Sequence, residues 1–321
     1  MLFAKKIERL YRSRLFKRYD DTGTVFYFSP EDFPSLSAEP YTFRSRKGYD
    51  LKGYFYSYEG YAPNRLVIFD HGMGAGHRAY MKEIELLAKH GYLVFSYDHS
   101  GCFESEGEHT AGLSQSCLDL CDCINAIKSE ERFKDVGISV IGHSWGAVST
   151  LNVSAFHSDL KHVIAMAGPI SVKQMLASNF GGLLKCYARH LYTVEEASNP
   201  ETAPLDARDS LKNTSAKILL IYSQNDPIVK KKFHYDPLFS EFSGNPNVRF
   251  ILEKNKKHNP NYTEDAVKYM DVFFADLTKK LKKGLLQTEE QKKAFIDSYD
   301  WDRMTAQDES VWEKIFLTLE N

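Results

Sequence analysis

Gly142-His143-Ser144-Trp145-Gly146 is the segment of this sequence best suited to covalent chemistry. An apolar run, Gly137–Gly142, leads into it, and a helix-forming stretch from Ala147 to Leu151 follows. A serine between two such glycines can sit on a sharp strand-to-helix turn, with its hydroxyl raised above the sheet. The helix N-terminus at that point favours developing negative charge. A serine hydroxyl is a poor nucleophile near neutral pH, so it needs a base, and the base needs an acid to orient it. Asp226, in Ser223-Gln224-Asn225-Asp226-Pro227, lies just past the apolar run Lys217–Tyr222. His258, in Lys256-Lys257-His258-Asn259, lies just past the run Val248–Leu252. Both therefore fall at the carboxyl ends of successive strands, where α/β sheets build their sites, in the chain order Ser, Asp, His. His143, His157, His162, His190 and His234 lack that placement, and Asp206 and Asp209 fall in a segment read below as a cap. The bland alternative for Asp226 is a turn aspartate before proline.

Acyl transfer also needs two backbone N–H groups for the oxyanion. The residue after the nucleophile, Trp145, supplies one. The loop Asp70-His71-Gly72-Met73-Gly74-Ala75-Gly76 supplies the other, by position from Met73. His71, Gly72, Gly74 and His143 are then the expected substrate-binding neighbours. A phosphate-cradling loop is the rival reading of these glycines, but the GxGxxG spacing and a lysine are both missing. Cys117, Cys121 and Cys123 lack a CxxC pair and a matching histidine pair, so no metal is expected there. The mechanism calls for no cofactor.

These residues need a scaffold, and the rest of the chain supplies its pattern. Tyr41–Arg46 and Leu51–Tyr58 are expected to form a hairpin across Lys47-Gly48-Tyr49-Asp50. Strands at Arg65–Asp70, Tyr92–Asp98, Gly137–Gly142, Lys161–Ala167, Lys217–Tyr222 and Val248–Leu252 alternate with helices at Ala79–His90, Leu113–Ser129, Trp145–His157 and Tyr262–Leu281. That alternation predicts an α/β fold: a mostly parallel sheet covered by helices on both faces, with an antiparallel edge. Gly168 to about Thr214 is too long for a connection. It is read as a helical cap with helices at Val172–Ala177 and Leu183–Tyr192. The expected organisation is a basic N-terminal segment (1–40), a core (41–167 and 215–286), the cap insertion (168–214) and a C-terminal helical extension (287–321). In that extension, Thr305 and Asp308 look like a capping pair before Val311, Trp312, Ile315 and Phe316.

With these pieces in place, the chain resembles the serine aminopeptidase/monoacylglycerol lipase-like branch of the α/β-hydrolases. The resemblance rests on His71-Gly72-Met73-Gly74, His77-Arg78-Ala79-Tyr80, Tyr97-Asp98-His99-Ser100-Gly101, Ser105-Glu106-Gly107-Glu108, the Ser144 pentapeptide and the Asp226 and His258 loops. It covers about Tyr41 to Leu281. It implies an α/β-hydrolase fold and a cofactor-free Ser-His-Asp hydrolase of esters or amides. The chain departs from the family at Gly101-Cys102-Phe103, where Gly-His-Gly or Gly-x-Gly is usual, and the cap shows no close match. Cleavage of carboxylic esters, as by a carboxylesterase or lipase, is the favoured expectation. An aminopeptidase would need an acid for the free amino group, with Glu195, Glu196 and Glu201 as candidates. A non-catalytic binding module on the same scaffold is the third reading.

Bulk properties narrow the partners. With 41 Lys+Arg against 43 Asp+Glu, the chain lacks the basic field that nucleic acid binding requires. No apolar stretch approaches the ~20 residues of a membrane span. Met1–Tyr19 carries seven Lys and Arg but no signal-peptide core, and five cysteines without a disulfide framework favour a reducing, cytoplasmic setting. Leu2, Phe3, Ile7, Leu10 and Tyr11 can form one helical face. That face suits anionic lipid or docking on the protein body; its shortness and the lack of a lipidation signal favour docking.

Overall fold

Apolar runs bounded by turn residues become the eight strands of one sheet in the computed structural model, which describes residues 2–62, 64–180 and 185–321. The strands are β1 (Ser37–Arg44), β2 (Asp50–Ser57), β3 (Leu66–Asp70), β4 (Leu93–Tyr97), β5 (Ile138–His143), β6 (His162–Met166), β7 (Lys217–Ser223) and β8 (Val248–Glu253). Their order is β1-β2-β4-β3-β5-β6-β7-β8. β1 and β2 form the antiparallel hairpin at the edge, β2 meets β4 antiparallel, and the remaining pairs are parallel. This is the α/β-hydrolase fold expected from the sequence.

Among the described residues, twelve α-helices accompany the sheet: α1 (Leu2–Leu15), α2 (Met81–Lys89), α3 (Gln115–Ser129), α4 (Trp145–Asn152), α5 (Val172–Asn179), α6 (Lys185–Ser198), α7 (Ala207–Ser210), α8 (Lys231–Phe242), α9 (Glu264–Lys282), α10 (Glu289–Ile296), α11 (Trp301–Met304) and α12 (Glu309–Leu319). Because side chains alternate along a strand, β3 sends Leu66 and Ile68 to one face and Val67 and Phe69 to the other. The first face packs on Leu120 and Ile124 of α3, Leu151 of α4 and Leu238 of α8. The second packs on Ile84 and Leu87 of α2 and on Val311, Trp312 and Ile315 of α12. The C-terminal helix thus covers the sheet itself, while α9 packs through Phe273 and Leu277 on Leu286, Phe295 and Met304.

Several sequence expectations need correction. α8 carries Pro237 in its interior and little amphipathic character, so its pattern gave no helix signal. Asp308 caps α12 by accepting from Ser310 N–H, whereas Thr305 closes the separate helix α11. The start expected for the second cap helix, Leu183, lies outside the described residues, and α6 is described from Lys185. Leu10, counted in the apolar face of α1, is 53% exposed. Tyr11 is buried with Val172 and Leu176 of α5 and Ala188 and Leu191 of α6, so α1 is docked on these two helices.

Candidate active site

Ser144 stands between β5 and α4 with φ 56° and ψ −110°, and its N–H donates to Met166 O at 2.9 Å. The flanking glycines are forced by space. A Cβ on Gly146 would lie 2.1 Å from Asp70 O, and one on Gly142 would lie 2.4 Å from Gly146 O. The turn is therefore pinned against β3 and its own helix, which lifts the Ser144 hydroxyl from the sheet's carboxyl edge.

His258 and Asp226 reach that hydroxyl from the loops after β8 and β7. His258 Nε2 lies 2.7 Å from Ser144 Oγ, and His258 Nδ1 lies 2.8 Å from Asp226 Oδ2. The other Asp226 oxygen accepts from Ile228 N–H at 2.8 Å and Val229 N–H at 2.9 Å. These two backbone donors fix the carboxylate, so the imidazole in turn has one favoured orientation. The three side chains singled out in the sequence are thus joined in one hydrogen-bonded line.

The two expected oxyanion donors also converge. Trp145 opens α4, where the first N–H groups have no intrahelical acceptor. Met73 N–H meets no acceptor among the described residues. Met73 and Trp145 line one cavity of about 420 Å³ together with Ser144 and His258. Its walls are otherwise almost wholly apolar: Leu15 of α1, Val148 of α4, and Val172, Met175 and Leu176 of α5.

His71 and His143, expected beside the substrate, are buried and absent from the lining of the cavity at Ser144. His71 is fully buried, with Nδ1 2.8 Å from Gly72 O and Nε2 accepting from His99 N–H at 3.1 Å. Burial, with His99 alongside, pushes its pKa down to about 3, so it is neutral scaffold. His143 lies with Nε2 2.8 Å from His258 O and Nδ1 2.9 Å from the Tyr80 hydroxyl. Burial is the main cause that lowers its pKa to about 4. A neutral His143 can accept from Tyr80 and donate to the His258 carbonyl. The same Tyr80 oxygen accepts from Gly72 N–H at 3.0 Å. Gly72 is therefore held within this brace, and Gly74 lines a second cavity that also borders His258.

Beneath Trp145 lies a buried charge cluster that the sequence did not disclose. His99 sits with Nε2 2.7 Å from Asp70 and Nδ1 3.3 Å from Asp119, its ring 4.7 Å from that of Trp145. Burial opposes its charge, but the two carboxylates outweigh it and raise the pKa to about 9. Tyr80 went unassigned for a simpler reason: its hydroxyl links loops 63 residues apart in sequence.

Comparison with known proteins agrees with this architecture. Residues 61–256 match the family model described as serine aminopeptidase, S33. The protein YqkD of Bacillus subtilis is 27% identical over 44% of this chain and 45% of its own length. Rat monoglyceride lipase is 27% identical over 29% of this chain and 31% of its own length. The chain thus spans less than half of the curated relatives it matches. Among solved structures, an esterase of Pyrococcus furiosus superposes with a TM-score of 0.59 at 22% identity, covering 85% of this chain and 98% of that one.

Proposed function

Because the chain belongs to the serine aminopeptidase S33 family of α/β-hydrolases, we propose that it cleaves carboxylic esters through Ser144, His258 and Asp226. The observation that carries this reading is the continuous hydrogen-bonded line from Ser144 through His258 to Asp226 at the wall of an apolar cavity. His258 Nε2 takes the Ser144 proton as Oγ attacks the ester carbonyl carbon. Asp226 keeps the proton on Nδ1 and stabilises the imidazolium. The Met73 and Trp145 N–H groups receive the oxyanion. His258 then gives its proton to the departing alcohol, and water hydrolyses the acyl-enzyme with His258 again as base.

The acids favour esters over peptides with a free amino terminus. Glu195, the best buried of the three cap candidates, accepts from Tyr11 OH at 2.5 Å and Leu113 N–H at 2.9 Å. It acts as the tether of α1 and is unavailable to an amine. Glu201 pairs with Arg46 at 2.7 Å, and Glu196 is exposed. Among the described residues, no carboxylate lines the 420 Å³ cavity.

The test is hydrolysis of p-nitrophenyl butyrate by the wild type and by Ser144→Ala. Wild-type turnover that falls by about 10³-fold or more in the variant is expected. Wild-type inactivity on this ester, with Ser144-dependent cleavage of aminoacyl anilides, would transfer the site to amide chemistry. Inactivity on both would leave the binding-module reading.

A further inference from the structure

Two cavities meet at His258, and only one opens onto Ser144. The second, of about 550 Å³, shares Met73, Ile228 and His258 with the first but has no Ser144 in its wall. An acyl group held on Ser144 Oγ extends into the cavity that Ser144 lines. The departing oxygen takes its proton from His258 Nε2, the nitrogen that faces Ser144 Oγ, and the rest of that group needs room beside Met73 and His258. The second cavity is in that position.

Its walls are unusual in origin. Phe26 and Tyr27 come from before the family-matched residues, and Phe273, Phe274 and Trp301 come from after them. The aromatic surface is therefore built largely by segments outside the family-matched residues. Set into it is Arg78. Its Nε is shut off from solvent and has no hydrogen-bond acceptor, and its guanidinium forms no ion pair among the described residues. Glu31 feels the Arg78 charge directly, while Asp98 and Glu104 act on the same tyrosines, Tyr54 and Tyr56, that Arg78 acts on. Asp98 is taken by His77 at 2.9 Å, Glu104 accepts from Tyr54 OH at 2.9 Å, and Glu31 stands in solvent. The other cation of the cavity, Lys257, is committed to Asp271 at 2.6 Å. An arginine without partners in an apolar wall is a receptor for a planar anion, which its fork of N–H donors can bind through two parallel hydrogen bonds.

We propose that this second cavity is the leaving-group site and that Arg78 binds there an anionic group, a carboxylate or phosphate, carried on an apolar or aromatic alcohol. The inference rests on the ester-hydrolase reading above and adds the substrate class. The test compares 4-carboxyphenyl butyrate with its neutral isostere 4-carbamoylphenyl butyrate. The wild type is expected to favour the anionic ester in kcat/KM by about tenfold or more, chiefly through KM. Arg78→Gln is expected to bring the ratio close to one, and Arg78→Lys to leave part of it. A wild-type ratio of one or below, or a preference that survives in Arg78→Gln, overturns the proposal.

Calorimetry separates this outcome from the hydrolase reading itself. Ser144→Ala should bind 4-hydroxybenzoate at least tenfold more tightly than 4-hydroxybenzamide, whether or not either ester is turned over. Equal binding, or none, overturns the anion site even if both esters are hydrolysed. Ser144-independent or absent ester turnover, with tight 4-hydroxybenzoate binding, would count against the hydrolase reading and leave the anion site standing. Phenyl phosphate in the same titration tells a phosphate head from a carboxylate, since the tighter ligand marks the group the guanidinium serves.

Discussion

Ser144 is one of six non-glycine residues with positive φ among those described, and its ψ of −110° lies outside the small left-handed basin. Backbone strain of this kind costs about 1–3 kcal/mol and persists only where the surroundings over-determine it. Here the surroundings are the Ser144 N–H bond to Met166 and the close contacts of Gly142 and Gly146. Ser144→Gly and Ser144→Ala both lose the hydroxyl, but only glycine relieves the strain. Ser144→Gly should therefore be about 1 kcal/mol more stable than Ser144→Ala in urea denaturation. An alanine variant of equal or greater stability would mean that the turn stores no strain at this residue. The pentapeptide made this turn legible in the sequence, because spacing of glycines around a serine is a local property. The directions of His71 and His143 were not legible, because what decides them is a partner on another loop.

At the scale of elements, three loops share one brace. The Tyr80 hydroxyl accepts from Gly72 N–H beside Met73 and meets His143 beside Ser144, and His143 in turn holds the His258 carbonyl. Tyr80→Phe removes both bonds without changing the ring. It leaves the buried Gly72 N–H without its acceptor, at a cost of about 1–3 kcal/mol. A lower melting temperature and a fall in kcat of about tenfold are expected, with KM changed less, because the brace positions the oxyanion loop against His258. A lower melting temperature with kcat intact would make the brace structural only. Elements differed in how well the sequence announced them. Strands β3 to β7 were legible as apolar runs of parallel-sheet type, buried on both faces, and β8 as an edge run whose Arg249 is exposed. α8 was not, because Pro237 interrupts the pattern and burial falls on few of its residues. The second cavity was not legible either, since Phe26, Phe273 and Trp301 meet only through the tertiary fold.

The whole molecule is closed by its C-terminal segment, which covers the sheet through α12 and also holds the His258 loop. Lys256, two residues before His258, reaches Asp308 at 2.5 Å. Asn261, three residues after it, donates to Glu83 at 3.1 Å and to Gln307 at 2.8 Å, and Trp312 Nε1–H donates to the same Gln307 oxygen at 2.9 Å. Glu83 is the one titratable member of this second group, and it is 1% exposed. Burial raises its pKa from 4.5 to about 7, against the hydrogen bonds that favour its ionised form. An acid with a raised pKa in the folded state keeps its proton after the unfolded chain has lost it. Its contribution to stability is complete below about pH 4.5, declines across the window from there to about 7, and is lost above it. The change corresponds to about 3 kcal/mol. Glu83→Gln retains an acceptor for Asn261 and removes the titration. Relative to the wild type, it should gain stability steadily from pH 5 to pH 8, measured by chemical denaturation at each pH. A difference between the two proteins that stays flat over that range would mean that Glu83 titrates as an ordinary carboxylate, and that the group joining α2, the His258 loop and α12 is held together without a buried proton.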